Sequence, residues 1–334
     1  MVADSRPRKW QCPDDARREA EQDMTRMTAL RAHRRGGPEA LAVESAQMPV
    51  AGAGEVLLAV HAAAITFDEL TWVETWARIG DGPVIPSHEV SGVVVDIGSE
   101  VTTLKIGDEV YGLIRFDRDG AAAEYVAMAA DDLATKPSTV SHTVAAALPL
   151  AGLTALQALV EHADVQPGDK VLVTGGTGGV GGLTVQLAAR LGAIVTTTIR
   201  SDAVELVRNL GARKVIDVRT GSFDDITTPY DVVIDTVGGH TLDMSFRVLR
   251  RGGRLVTLSA PPPADAADEF GVTAAFFVVT PNRGQLAELA ALVDGGQLHV
   301  EVGATFPLAQ GREAFESGQR PGRRPGKTII VVRD

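Results

Sequence analysis

The chain has 334 residues, is 45% hydrophobic with only 4% aromatic side chains, and carries a formal net charge of -11. That length holds two domains with a core each, and that charge argues against a nucleic-acid surface and against an anionic membrane as partner. The single cysteine, Cys12, rules out an internal disulfide and a cysteine-ligated structural zinc. No segment reads as apolar for long enough to span a bilayer, and a reducing, cytoplasmic setting is expected.

Residues 1–26 are charged and lack the apolar core of a secretory signal; they read as a disordered extension, or as sequence upstream of a start at Met24 or Met27. From 28 to 137, short β-prone runs are broken by glycine and proline. They cover 28–33, 40–45, 55–65, 88–97, a turn at 105–110 entering a further strand, and 121–129. Strands at this spacing without helices between them predict a compact β-domain with barrel-like closure. Near Pro149 the rhythm changes. A helix is expected over 153–162, and from Val171 strands and helices alternate: strand 171–174, helix 180–191, strand 194–199, helix 202–210, strands 214–218 and 231–236, helix 241–250 and strand 254–259. Asp202 and Glu205 have the spacing of a capping box, and Gly211 a stop. Alternation of this kind predicts a doubly wound parallel sheet. The end of the chain, helical over 285–293 and strand-like over 328–332, has no place in that repeat and is expected to return to the first domain.

The sharpest local signal is at the start of the second domain. Val171-Leu172-Val173 suits a strand buried on both faces; the glycines of Gly176-x-Gly178-x-x-Gly181 follow at once, and then Leu183, Leu187 and Leu191 line one side of a helix that Gly192 can end. Strand, glycine turn and helix are the context a dinucleotide site requires: the glycines admit a pyrophosphate to the backbone, and the helix start offers free N–H groups. A turn that merely packs a helix on a sheet would gain nothing from six glycines within 175–182. At the end of the next strand, Thr197-Thr198-Ile199-Arg200-Ser201 has no acid until Asp202. A ribose 2'-hydroxyl is ordinarily met by Asp or Glu there; Arg200 with the hydroxyls of Thr198 and Ser201 fits a 2'-phosphate instead, so NADPH is favoured over NADH. The alternatives are a solvated charge at Arg200 and a helix cap at Ser201.

These features, together with Gly54-Glu55-Val56-Leu57, the run Pro86 to Val94, Lys105-Ile106-Gly107-Asp108-Glu109-Val110-Tyr111-Gly112, the run Ala145 to Ala155, Asp235 to Gly239, and Gly326-Lys327, resemble the medium-chain dehydrogenase/reductase family, in its zinc-free quinone oxidoreductase (zeta-crystallin-like) branch. The resemblance runs from about Met27 to the end. It implies an α/β protein: a GroES-like, β-rich catalytic domain from 27–150 and 283–334, and a Rossmann NADPH-binding domain, a doubly wound parallel sheet, from 151–282. It also implies an active site in the cleft between them and a homodimer through Rossmann edge strands. Thr154 would then sit at the nicotinamide end of the cofactor. Gly176, Gly178, Gly179, Val180 and Gly181 would form the pyrophosphate turn, Thr236 and Val237 would lie beside the cofactor, and Phe276 to Val278 would pass near the carboxamide.

Zinc-dependent relatives need a cysteine near 65–66 and another cysteine or acid near Gly152. This chain has Thr66 there, and keeps only His88 and Glu89, too few ligands for catalytic zinc. The two read as a buried hydrogen-bonded pair organising a turn, or His88 as a polar group facing the substrate. Without a metal to polarise a carbonyl, the expected chemistry is hydride transfer to an already electrophilic carbon, in an enone or a quinone. Quinone reductases often carry Asn-Pro and a nearby tyrosine on the substrate side; Thr66-Phe67 and no tyrosine stand here. Thr66 is the candidate polarising hydroxyl and Glu69 the candidate acid or orienting group. Trp72 and Trp76, four apart, either floor an aromatic substrate pocket or pack the domain; Tyr111 and Tyr125 read as strand packing. Two other functions stay open, a dedicated enoyl or enone reductase of a natural-product pathway, and an NADPH-binding sensor or scaffold with little turnover.

Overall fold

The structure, a computed structural model, describes residues 25–76, 82–221 and 229–333. The expectation for residues 1–26 therefore falls outside them except at its end, where Arg26 already opens β1 (Arg26–Ala32). β1 pairs antiparallel with β2 (Leu41–Gln47). A bent sheet follows, centred on the eleven-residue β3 (Glu55–Ile65) with β4 (Glu89–Ile97), β5 (Glu109–Leu113), β6 (Tyr125–Ala129) and β7 (Leu133–Thr135). β3 is rich in Val and Ala because it is covered on both faces and paired along both edges, to β4 on one side and to β6 on the other. Register shifts at Leu57/Leu58 and Val60/Ala62 bend it.

Helix α1 (Pro149–Gln157) carries the chain across, with Pro149 in its first turn, and widens into a π turn at Ala158–His162. The helical run 142–162 is apolar and, at 21 residues, long enough to cross a bilayer, which corrects the reading that no segment is; 83% of its 18-residue apolar window is buried in this protein, so core packing accounts for the composition. The second domain alternates β8 (Lys170–Val173), α2 (Gly179–Arg190), β9 (Ile194–Ile199), α3 (Val204–Asn209), β10 (Lys214–Asp217), β11 (Tyr230–Asp235), α4 (His240–Arg247), β12 (Leu249–Thr257), α5 (Ala266–Phe270) and β13 (Thr273–Phe276). All six strands are parallel, in the order β10-β9-β8-β11-β12-β13. The order reverses between β8 and β11, so the loops leaving these two strands open the crevice where such sheets bind ligands.

The chain then returns, as its loss of alternation predicted. α6 (Arg283–Asp294), capped by the Asn282 side chain accepting from Gln285 N at 3.0 Å, packs under the first domain. β14 (Val302–Pro307), α7 (Gly311–Glu316) and β15 (Lys327–Val331) follow, and β15 pairs antiparallel with β3, Thr328 opposite Ile65. Pairing runs open, β14-β15-β3-β4-β5-β7, rather than closing as a barrel among the described residues. Tyr111 is fully buried on β5 and donates to Leu286 O at 2.5 Å, which ties the first sheet to α6.

Two local expectations fail. The capping box does not form: α3 starts at Val204, and the Asp202 carboxylate pairs with Arg219 at 2.6 Å instead of capping. Helix α4 stops at Arg247, because the strand expected from 254 begins at Leu249.

Candidate active site

A cleft of about 520 Å³ lies between the two domains, walled by the glycine turn on one side and by the ends of β3 and β15 on the other. The turn is built by close approaches that favour glycine. Gly176 N donates to Thr198 O at 2.9 Å, and a Cβ on Gly176 would meet Thr197 Oγ1 at 2.1 Å. A Cβ on Gly181 would meet Gly175 O at 2.2 Å, and one on Gly179 would meet Lys327 Cδ at 2.5 Å. Gly178 differs: its Cβ would find only Gly175 O, at 3.3 Å, and it lines the cleft with Gly179, Val180 and Gly181. Three of the glycines therefore make room for neighbouring protein atoms, the Thr197 and Lys327 side chains and the Gly175 backbone, while the fourth keeps the space above the helix start clear for a ligand.

Opposite this turn stands a buried cation that the sequence reading assigned no role. β15 places Lys327 beside Thr66, and β4 places Glu89 opposite Ala64. Lys327 is 8% and Glu89 1% exposed; they form an ion pair, and Lys327 Nζ also donates to Thr66 Oγ1 at 3.2 Å. The other Glu89 oxygen accepts from Leu150 N at 3.0 Å and Ala151 N at 3.4 Å at the start of α1. Because the Thr66 oxygen accepts from an ammonium, its own proton is free to point at a cleft ligand.

His88 and Glu89 are thus not partners of one another. His88 is buried behind the cleft wall, its ring edge-on to Phe116 with centroids 5.0 Å apart and neither ring nitrogen hydrogen-bonded. Burial pushes its pKa down to about 4, so the ring is neutral and apolar packing describes it better than substrate binding. Of the two expectations for Glu69, an acid or an orienting group, its contacts fit the orienting one. It is 2% exposed and outside the cleft lining, and its two oxygens accept from Thr66 N at 3.2 Å and Ser87 N at 3.0 Å. Burial pushes this carboxyl up to about 8, and it acts by fixing the loop that carries Thr66. Trp76 turns away from the cleft, donating Nε1–H to Leu70 O at 2.9 Å, whereas Trp72 lines it and meets Phe116 edge-on at 5.8 Å.

On the other rim, Thr154 lines the cleft, and its buried hydroxyl has no partner among the described residues. Thr236 and Val237 line the same wall, with Asp235 below them accepting from Thr174 Oγ1 at 2.8 Å and Gly238 N at 3.0 Å. Val237, Phe276 and Val278 are 54%, 37% and 42% exposed, an apolar rim unusual for a free surface. At the end of β9, the Thr198 hydroxyl accepts from Gly175 N at 3.0 Å, so it shapes the glycine turn rather than a phosphate pocket. Arg200 is exposed, and the neighbouring Ser201 hydroxyl is buried with no partner among the described residues. The clear space at Gly178 and the orphaned hydroxyls of Thr154 and Ser201 are what a dinucleotide lying from β9 across the turn into the cleft would satisfy. Among the described residues, no group of three or more His, Cys, Asp or Glu side chains is placed to hold a metal ion.

A parallel sheet with a glycine turn at its switch point, joined through a cleft to a GroES-like domain, defines an oxidoreductase of the nicotinamide-dinucleotide-dependent kind. Comparison with known proteins agrees. Residues 52–138 match the alcohol dehydrogenase GroES-like domain and 210–330 the zinc-binding dehydrogenase domain. The chain is 33% identical over 310 residues to an NADPH-dependent alkenal/one oxidoreductase of Arabidopsis thaliana, covering 88% of this chain and 77% of that one. It is 36% identical over 260 residues to the 2-methylene-furan-3-one reductase of Solanum lycopersicum, covering 74% and 63%. The quinone oxidoreductase of Coxiella burnetii superposes with a TM-score of 0.86 at 31% identity, over 92% of this chain and all of that one. The chain belongs to the medium-chain dehydrogenase/reductase family, in its quinone oxidoreductase branch.

Proposed function

We propose that the protein reduces a conjugated acceptor, the C=C bond of an enone or a quinone, with NADPH and without a catalytic metal. The observation that carries this reading is the Thr66 hydroxyl, held by the buried Lys327 ammonium at the wall of an aromatic cleft that faces the glycine turn. Where a zinc-dependent relative would use a cysteine and a metal, this chain has a hydroxyl and a lysine paired to Glu89. When bound, NADPH supplies the hydride. The protein's residues orient and exclude water: a chain with 9 Phe, 3 Trp and 3 Tyr places Phe67, Trp72, Phe116, Phe276 and Phe277 around this one cleft, which suits a planar conjugated acceptor. Thr66 Oγ–H donates to the acceptor oxygen, where negative charge develops, and the proton that completes the neutral product comes from this hydroxyl or from water reaching the cleft.

Replacing Thr66 by Val should lower kcat for an enone and a quinone by on the order of 100-fold, with Thr66→Ser recovering most of it. Unchanged turnover in the valine variant, in a steady-state NADPH-oxidation assay, would sink the assignment. Arg200 and Ser201 support the choice of NADPH: Arg200→Glu should move the ratio of NADPH to NADH use by about 100-fold towards NADH, since a charge-assisted bond is replaced by repulsion. Discrimination that stays as it was would reject the 2'-phosphate reading. The substitution of Thr66-Phe67 for the usual Asn-Pro favours a narrow enone specificity, as in a dedicated reductase. We further propose that the enzyme is cytoplasmic and a homodimer formed through edge strands of the parallel sheet, whose two edges are β10 and β13.

A further inference from the structure

The loop before β15, Gln319 to Gly326, carries Arg320, Arg323 and Arg324 in a chain whose net charge is -11. None of the three guanidinium groups has a carboxylate partner among the described residues, whereas Arg115, Arg118, Arg219, Arg250, Arg254 and Arg312 each have one. Arg323 is the one that lines the cleft, its guanidinium stacked over the Phe67 ring with Cζ 4.4 Å from the centroid. Phe67 is itself wedged against Gly318, where a Cβ would meet the ring at 2.4 Å, so the platform under the cation is fixed. Arg323 is exposed at the cleft, and desolvation by the surrounding wall holds its pKa below the usual arginine range, with no carboxylate paired to it among the described residues. The exposed acids Asp68 and Glu74 line the same cleft without pairing to it.

We propose that the acceptor reduced here carries an anionic group, and that Arg323, stacked on Phe67, is the residue that recognises it. The inference rests on the reductase reading above and narrows it: a flat conjugated carbonyl compound lies among the aromatic side chains, and its carboxylate or phosphate reaches the guanidinium fork. Stacking on Phe67 leaves the N–H edge of Arg323 free for a bidentate contact, a geometry lysine cannot copy. The same chemistry is present in the phosphates of the cofactor, so the two sources have to be separated by experiment.

The probes are a phenyl enone bearing a carboxylate on a short saturated tether and the methyl ester of the same compound. Wild-type protein should use the carboxylate about tenfold better in kcat/KM, the scale of one charge-assisted hydrogen bond. In Arg323→Ala the ratio should fall to about one, in Arg323→Glu it should invert, and in Arg323→Lys it should lie between. Rising salt should erode the wild-type ratio. Equal use of both compounds by the wild type overturns the proposal while leaving the reductase reading standing; reduction of neither overturns both. NADPH affinity, measured by fluorescence titration without acceptor, decides the source of the anion. Weakening of NADPH by the same factor in Arg323→Ala would assign the cation to a cofactor phosphate and overturn the assignment to the acceptor.

Discussion

Gly178→Val should weaken NADPH binding by at least about 100-fold while the protein stays folded. Gly178 sits at φ -75° and ψ 165°, an extended conformation that valine adopts readily, and only one backbone atom, Gly175 O at 3.3 Å, lies within 4 Å of the new Cβ. The isopropyl group therefore enters the open cleft and blocks the N–H groups at the start of α2. Gly181→Ala makes the contrast. Its Cβ would lie 2.2 Å from Gly175 O and 2.8 Å from Gly175 C, backbone atoms that cannot swing aside, so the turn must deform at a cost of about 1–3 kcal/mol. Thermal unfolding and NADPH titration of both variants should separate them: lost binding with a wild-type melting temperature for Gly178→Val, and a lowered melting temperature for Gly181→Ala. A Gly178→Val protein that binds NADPH normally would show that the dinucleotide does not cross this turn.

Lys327→Met should destabilise the fold by about 3–5 kcal/mol in urea unfolding, because Glu89 is left charged, buried and without its cation. Adding Glu89→Gln should recover a good part of that loss, since the uncompensated charge goes while an oxygen remains for Leu150 N and Ala151 N. The double variant should nonetheless stay slow in turnover, for Thr66 Oγ1 has lost the ammonium that polarises it. If Lys327→Met alone is as stable as the wild type, the pair is not a buried structural unit. If the double variant turns over at the wild-type rate, the lysine has no part in activating Thr66.

How far the sequence exposes this architecture depends on the range over which each feature is encoded. The glycine turn, the Leu183 and Leu187 face of α2 and the apolar run of β3 are local patterns, and each lies where its periodicity puts it. The edges are harder: β13 and β14 are partly exposed, so they lack an alternating apolar signal. Asp202 and Glu205 had the right spacing for a cap, but Arg219, from the next strand's end, outcompetes the helix for the carboxylate. The cleft wall around Thr66 was half legible. Thr66 and Trp72 were identified from the segment's departure from relatives, yet Lys327 reaches Thr66 across 261 residues through the pairing of β15 with β3, which no local pattern announces. Glu69 and His88 drew attention as polar residues in the right segment, but composition does not tell a carboxyl buried to hold the Ser87 and Thr66 amides from one that faces substrate.

The direct test of a metal-independent conjugate reduction is a single turnover with NADPH deuterated on the transferable C4 position, an enone acceptor and a strong chelator present, followed by locating the label in the product. The account predicts a saturated ketone carrying the deuterium on the carbon β to the carbonyl, at a rate the chelator leaves unchanged. NADPH that is bound but not consumed, deuterium on a carbinol carbon, or turnover that appears only when a metal is added would contradict it.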